Sequence, residues 1–374
     1  VGFQSILGRP PGLYYGVQKG AGFSCLVLTF FFVITSLSNN TYPLIQSSML
    51  HVHAPARLHM GFIDVCGVLG RRFGSIGVAL NELGIRMRLA RAERLSVKGA
   101  QYKRAEGYAR LFLESVQIGD GVEIVIDQAI PEHAGLGSGT QMALSIGVGL
   151  SRLFELNKTL DELVPLMGRG HRSGIGIGAF CHGGLVVDGG RSDKTVIPPV
   201  ISQLPVPDDW RFILVMDTSV RGIHGEYEAH AFDALPEFPR HQVAQLSHLV
   251  FMRALPAVVE GDLRVFGDVI TELQASVGDH FAAVQGGRFT SQLVEQVVLW
   301  LGSQGAVGLG QSSWGPTGFC MVDGSEQAKQ MIHAARQRYA DSCLELMSVS
   351  VCKTGSTLKV GSEATETLQL TEFG

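Results

Sequence analysis

The chain has 374 residues, 45% of them hydrophobic and 17% charged, with a formal net charge of −4. That length allows two domains, or one large one, around a sizeable core, and the composition excludes a disordered chain. The slightly acidic balance gives no electrostatic reason to expect a nucleic-acid partner. Cysteines stand at 25, 66, 181, 320, 343 and 352 with no C-x-x-C spacing, which predicts reduced thiols of a cytoplasmic protein. The histidines form no H-x-x-x-H or H-E-x-x-H cluster, so a zinc site is not expected.

Residues 1–48 differ from the rest. The run 21–37, AGFSCLVLTFFFVITSL, is uncharged and apolar and follows Lys19. Three readings apply: sequence outside the native coding region, given Met49 directly before a strand-like start; a membrane anchor at the lower length limit; or a signal peptide, for which Thr35, Ser36 and Leu37 make a poor cleavage site. The segment is expected to lie outside the fold, with one domain over 49–204 and a second over 205–374.

From Leu50 the pattern predicts a strand leading into 54–64, APARLHMGFID, then a loop with Gly67, Gly70, Arg71, Arg72 and Gly74. Residues 74–82 and 85–97 read as two further strands, the second alternating apolar residues with arginine. Residues 102–116 read as a helix and 122–130 as a strand. Next comes PEHAGLGSGT, 131–140, followed by a long apolar-periodic helix. Gly135, Gly137 and Gly139 let the backbone turn with its N–H groups inward, and Leu136, Ser138 and Thr140 complete a loop that opens a helix. Such a loop holds an anion, a phosphate or pyrophosphate, at the positive end of the helix dipole; the alternative is a turn that only joins two elements. Thr159 and Glu162 form a capping box for a short helix. A second glycine-rich stretch, 168–190, carries His171, Arg172 and Ser173. The proline-rich 197–207 marks the domain boundary. Residues 210–217 read as a buried strand ending in Asp217, before the polar loop 218–228. A third glycine loop, 305–324, and a closing helix and strand complete the core, and the last dozen residues are expected to fray.

In this order, the APAR start at 54–57, the central PEHAGLGSGT and the GQSSWGPTGF of 310–319 resemble the GHMP kinase superfamily. The central motif departs from the family's form in having Gly139 where a second serine stands. The resemblance covers about 50–353 and implies an α+β, two-domain fold: an N-terminal domain like ribosomal protein S5 domain 2 and a ferredoxin-like C-terminal domain, with the active site between them. Within the superfamily, the blocks 56–64, 71–80, 168–190, 221–228 and 310–319 resemble the beta-ribofuranosylaminobenzene 5′-phosphate synthase family. That implies a decarboxylating transfer of ribose 5-phosphate from phosphoribosyl pyrophosphate to 4-aminobenzoate or 4-hydroxybenzoate, in methanopterin biosynthesis. A small-molecule kinase using ATP at the same loop, and a non-catalytic metabolite-binding member, remain open. Many kinases of the superfamily carry an S-G-x-D element whose Asp acts as base; here Ser173 and Gly174 are followed by Gly176 at that position, which removes the usual base.

The synthase chemistry needs an anion clamp for pyrophosphate and 5′-phosphate and a cation for the benzoate. Arginine suits both because its guanidinium is a two-pronged donor. Arg57 and His59, on one side of an extended chain, are candidate catalytic residues or a surface pair. Asp64 either holds a magnesium ion, the expected cofactor, or orients Arg57. Arg71 and Arg72 close over phosphate or are solvated loop charges. His171, Arg172 and Asp217 are further catalytic candidates, with a turn cap as the alternative for Asp217. Ser173, His224, Glu226, Ser313 and Trp314 are candidate substrate contacts; Trp314 either stacks on the aromatic acid or packs. His133 beside the loop is read as incidental. Partners are small molecules, with no membrane unless 1–48 anchors the chain; a homodimer is the default assembly.

Overall fold

The computed structural model describes residues 49–119, 121–220, 222, 232, 235–361 and 367–369. The apolar 1–48 segment and the candidates His224 and Glu226 lie outside the described residues. No helix among the described residues is long and apolar enough to cross a membrane.

The first sheet is organised on two long strands, β1 (Leu50–Asp64) and β2 (Gly74–Ala92), antiparallel to one another. Residues 74–92 form one strand where the sequence suggests a break at 83–84. Gly84 is what allows this: a Cβ there would lie 2.5 Å from the Ala54 carbonyl oxygen, so the two backbones approach closely without a turn. The register shifts opposite it, between Pro55 and Ala56, where proline can donate no ladder hydrogen bond. The far end of β2 pairs with β4 (Gly121–Gln128), and β3 (Ser96–Gly99) adds to β4 in parallel. The near end of β2 pairs with β5 (Leu185–Asp188), which pairs with β6 (Val200–Leu204).

Helix α1 (Tyr102–Ser115) precedes β4; α2 (Ser138–Leu153), α3 (Leu160–Leu166) and α4 (Ile175–Cys181) follow it. Helix α2 is buried at every residue from Gln141 to Ser151, as its all-round apolar sequence requires. The capping box at Thr159 forms as the sequence predicts, with Thr159 accepting from the Glu162 N–H and Glu162 from the Thr159 N–H.

The second sheet contains β7 (Trp210–Asp217), β8 (Val307–Gln311), β9 (Thr317–Asp323) and β10 (Leu344–Val349), all antiparallel, in the order β10-β7-β9-β8. Between β7 and β8 lie α5 (Arg240–Leu249), a π-helical turn (Val250–Ala254), α6 (Leu255–Glu260), α7 (Leu263–Gln285) and α8 (Gln292–Ser303). Helix α9 (Ser325–Arg338) joins β9 to β10. With the helices between β7 and β8 taken as one crossover, this is a β-α-β-β-α-β unit with spatial order 4-1-3-2, the ferredoxin-like arrangement.

The two halves share one hydrophobic core, which runs from Leu58 and Met60 of β1 through Leu273 of α7 to Trp314 and Phe319. Contact is closest at Gly61, where an added Cβ would lie 1.8 Å from Leu273 Cδ2. The chain also returns to the first sheet after β10. Cys352 N–H donates to the Ala79 carbonyl, β11 (Thr357–Val360) pairs with β1, and β12 (Thr367–Gln369) pairs with β11. The first sheet is therefore completed by residues from the end of the second half, and the pairing reaches into the expected frayed tail.

Removing residues 356–374 would leave the β1 edge from Leu50 to His53 unpaired and lose buried Leu358. Unfolding in denaturant is expected to show a loss of at least ~2 kcal/mol, the scale of one fully buried leucine, with more aggregation at the bared edge. A truncated chain as stable as the full one would contradict this pairing.

Candidate active site

The loop after β4 is shaped by backbone geometry. His133, Gly135 and Gly137 have φ of 59°, 77° and 81°, in the left-handed region that favours glycine. Helix α2 starts at Ser138 with no side chain capping its first turn, which leaves a helix N-terminus suited to an anion.

Residues from both halves of the chain clasp the loop. The Arg57 N–H donates to the Leu136 carbonyl at 3.1 Å, and Arg57 Nη1 to the Gly135 carbonyl at 2.5 Å. Ser312 Oγ donates to the same Gly135 oxygen at 2.7 Å and accepts from the His59 N–H at 3.0 Å. There is no room for side chains here. A Cβ on Gly135 would lie 2.2 Å from the Ser312 carbonyl oxygen, and one on Gly315 2.4 Å from the Ala134 carbonyl carbon.

Two arginines that sequence reasoning passed over stand at the start of α2. Arg104, from α1, donates to Ser138 Oγ and pairs with Glu132, both at 3.3 Å. Arg169 donates to the Tyr108 hydroxyl and lies over its ring, while its Nε is buried without a hydrogen-bond partner. Burial draws the Arg169 guanidinium below its ordinary range, and repulsion from Arg104 adds to this. Both reach Gly139: a Cβ there would lie 2.6 Å from Arg104 Nη2 and 3.3 Å from Arg169 Nη1. The glycine that departs from the family motif is what makes room for them.

Next to this helix end is a cavity of about 310 Å³. It gathers Arg57, His59, Thr140, His171, Arg172, Ser173 and Ser313 from the sequence candidates, and adds Arg169, Phe62 and Gly176. No aspartate or glutamate is among the described residues lining it. Gly176 lies against Thr140, whose Cγ2 would be 3.2 Å from an added Cβ, and its carbonyl accepts from Gln141 Nε2 at 2.7 Å.

The remaining candidates are placed elsewhere. Asp64 closes a turn: its Oδ1 accepts from the N–H groups of Cys66 and Gly67 at 2.9 and 2.8 Å. Arg71 is bound to the Gly189 and Gly190 carbonyls, both at 2.8 Å, and Arg72 lies over the Phe73 ring. Asp217 is buried and accepts from Ser219 and from Ser291, the N-cap of α8. Trp314 is 2% exposed and stacks on Phe281, with centroids 4.3 Å apart. None of these five lines the cavity. Among the described residues no group of three histidine, cysteine, aspartate or glutamate side chains converges to hold a metal ion.

Two buried titratable groups border the site. His59 is 2% exposed; burial, with the Arg57 charge beside it, holds its imidazole well below the usual range and hence neutral. Asp188, 1% exposed, accepts from Ser75 Oγ, Ser173 Oγ and the Gly174 and Gly190 N–H groups, at 2.5, 3.1, 2.9 and 2.8 Å. It thereby fixes the turn that carries Ser173 into the cavity wall. Burial outweighs these four bonds and pushes its carboxyl up to about 6.

Similarity to known proteins accords with this geometry. Residues 103–184 match the GHMP kinases N terminal domain and residues 254–341 the GHMP kinases C terminal family. Beta-ribofuranosylphenol 5′-phosphate synthase of Archaeoglobus fulgidus is 34% identical over 287 residues, 74% of this chain and 88% of that protein. The chain belongs to the beta-ribofuranosylphenol 5′-phosphate synthase family. The synthase of that name from Methanocaldococcus jannaschii is 33% identical over 300 residues, 73% of this chain and 89% of the relative. Among solved structures, L. major mevalonate kinase in complex with R-mevalonate aligns with a TM-score of 0.60 and 17% identity, over 81% of this chain and 96% of that one. At that identity the likeness shows the GHMP fold alone. The α+β, two-domain reading and the family reading from sequence both hold; the matched relatives carry the phenol form of the synthase name.

The raised Asp188 carboxyl makes stability depend on pH with a definite sign. The folded state holds this proton more tightly than the unfolded chain, whose carboxyl titrates near 3.8. Its contribution is therefore full below about pH 4, declines as pH rises towards 6, and is flat above. In urea unfolding, wild type minus Asp188→Asn is expected to fall by ~2.4 kcal/mol between pH 4 and pH 7. A difference independent of pH would refute the assignment.

Proposed function

We propose that this protein is a decarboxylating pentosyltransferase that joins phosphoribosyl pyrophosphate to 4-hydroxybenzoate or 4-aminobenzoate. It forms a C-riboside 5′-phosphate and releases CO2 and pyrophosphate, in methanopterin biosynthesis. The observation that carries the reading is the cavity: Arg57, Arg169 and Arg172 line it with His59 and His171, Phe62 forms part of the wall, and no carboxylate is present among its described residues. Such a wall suits a polyanion next to an aromatic ring, and it lacks the carboxylate base of the S-G-x-D kinases among its described residues.

The residues divide the work as follows. The N-terminus of α2, with Arg104 and Arg169 against Gly139, takes the pyrophosphate. Arg172 and His171 take the remaining anionic groups of the two substrates. As the ribose–pyrophosphate bond breaks, positive charge develops at the ribose carbon, and the ring carbon bearing the carboxylate attacks it. Loss of CO2 then restores the aromatic ring. Arg57 fixes the loop carbonyl behind the site, so it positions the clamp as well as adding charge. Magnesium is proposed as a companion of the pyrophosphate, whose negative charge it would partly neutralise. The same reading carries a cytoplasmic homodimer.

The deciding assay incubates the protein with phosphoribosyl pyrophosphate, magnesium and carboxyl-labelled 4-hydroxybenzoate or 4-aminobenzoate. Labelled CO2 and a ribosylated product are expected; folded protein that releases none would overturn the reading. Turnover of ATP with a small alcohol would favour a kinase, and saturable binding without turnover a metabolite-binding protein.

Arg104→Ala and Arg169→Ala are each expected to raise the KM for phosphoribosyl pyrophosphate at least ~10-fold, the scale of one charge-assisted hydrogen bond, with little change for the aromatic acid. Arg172→Ala is expected to lower turnover at least ~10-fold without unfolding the chain. Near-normal kinetics in all three would remove them from the site.

A further inference from the structure

His59 has an unusual position. Its imidazole is buried, yet neither ring nitrogen has a hydrogen-bond partner among the described residues. Two unpaired buried polar atoms are costly in a core, and such atoms in native structures call for an explanation. The ring packs against Phe62 with centroids 4.5 Å apart. The strand register shifts between His59 and Gly61, a bulge of the kind that re-aims side chains next to sites.

His59 also lines two spaces. One is the 310 Å³ cavity with its arginines. The other is a void of about 20 Å³, which shares His59, Phe62 and Ser313 with the first and adds Phe281. A void of that size accepts one water-sized group. Arg57, which belongs to the anion-binding end, lies two residues before His59 on the same face of β1, about 6.6 Å along the strand. That separation is comparable to the length of a para-substituted benzoate. With its carboxylate end among the arginines and its ring beside Phe62, the acid puts its para substituent at His59.

Building on the synthase reading, we infer that His59 is the catalytic base for the para hydroxyl or amino group of the aromatic acid. As the carboxylate-bearing ring carbon bonds to the ribose carbon, the ribose–pyrophosphate bond breaks and its electron pair leaves with pyrophosphate. The ring would become cationic; it stays neutral because the para group gives its proton to the free imidazole nitrogen, which leaves a quinoid intermediate. The ring–CO2 bond then breaks, its electron pair restores the aromatic ring, and the para heteroatom takes the proton back from His59. The base starts and ends neutral and no further reactant is needed. The low basicity that burial and Arg57 give His59 keeps it free to accept at neutral pH and makes the return of the proton easy. An imidazole without a protein partner is thus explained as one whose partner is the substrate.

The test uses the full-length protein and two substitutions. His59→Gln keeps polarity and much of the volume but cannot take a proton; His59→Leu also removes the unpaired nitrogens and is expected to melt no lower than wild type. Both are expected to lower single-turnover CO2 release from 4-hydroxybenzoate and 4-aminobenzoate at least ~100-fold, the lower range for loss of a general base. The Kd for phosphoribosyl pyrophosphate, from calorimetry, should stay within about threefold, because the pyrophosphate clamp is untouched. If either folded variant turns over within threefold of wild type, or if the loss is matched by weaker donor binding, His59 is not the base. Failure of the wild type to release CO2 would instead overturn the synthase reading, so the two failures are separate.

Discussion

The carbonyl oxygen of Gly135 receives donors from both halves of the chain, Arg57 Nη1 from β1 and Ser312 Oγ from the loop after β8. The rest of the site depends on that junction. It holds the glycine loop in its left-handed turns, and the loop leads into α2, whose first turn brings Thr140 to the cavity wall. Ser312 also accepts from the His59 N–H, so the bond that closes the loop seats the bulged end of β1. The junction admits no side chain at Gly135 or Gly315, and this exclusion makes the geometry rigid. A loop held only by its own turn would leave the helix end free to swing, and an anion site is only as strong as its donors are fixed.

The electrostatics follow from how the arginines are held. Arg71 has its donors taken by backbone carbonyls, and Arg88 and Arg288 are neutralised by carboxylates at hydrogen-bonding distance. Arg104 and Arg169 both reach Gly139, and Glu132 pairs with Arg104 at 3.3 Å. Two guanidiniums in a half-buried site repel, and their repulsion is strongest where water is excluded. A ligand carrying several negative charges relieves that repulsion. The fold can hold the pair without one because Tyr108 supplies a ring face and a hydroxyl to Arg169.

The glycine loop was legible in the sequence because its glycines are required by the backbone: φ is positive at 135 and 137. The cluster at His171, Arg172 and Ser173 was legible because a glycine-rich stretch with charges has few structural uses. Arg104 was not legible, since an arginine on an amphipathic helix reads as a solvated face, and only its distance to Gly139 shows otherwise. Arg169 sits one glycine before His171, and linear spacing cannot say which of the neighbouring basic residues turns inwards. The serine replaced by Gly139 was the available signal for both. Asp188 looked like the end of a strand before a glycine turn, and its role appears only when Ser75 is brought beside it. Asp64, Asp217 and Trp314 show the converse: residue types that suit a ligand serve here as a turn, a helix cap partner and a packed ring. The strand-by-strand reading went astray at 83–84 because a glycine that permits close backbone approach has the same letter as one that makes a turn.

Two positions where the family resemblance would place side chains are glycines here, and their effects reinforce one another. A serine at 139 would push the guanidiniums of Arg104 and Arg169 away from the helix end, because its Cβ alone would lie 2.6 Å from the nearer nitrogen. An aspartate at 176 would put a negative charge into a cavity that already brings Arg57, Arg169 and Arg172 together. That charge would neutralise part of the field and compete with anionic groups of the ligand for the same donors. With both positions empty the cavity keeps its positive charge and its room, and has no carboxylate base among its described residues. A phosphoryl-transfer scaffold altered in this way suits the proposed donor, whose leaving group is a polyanion, and the proposed acceptor, whose nucleophile is ring carbon rather than an alkoxide.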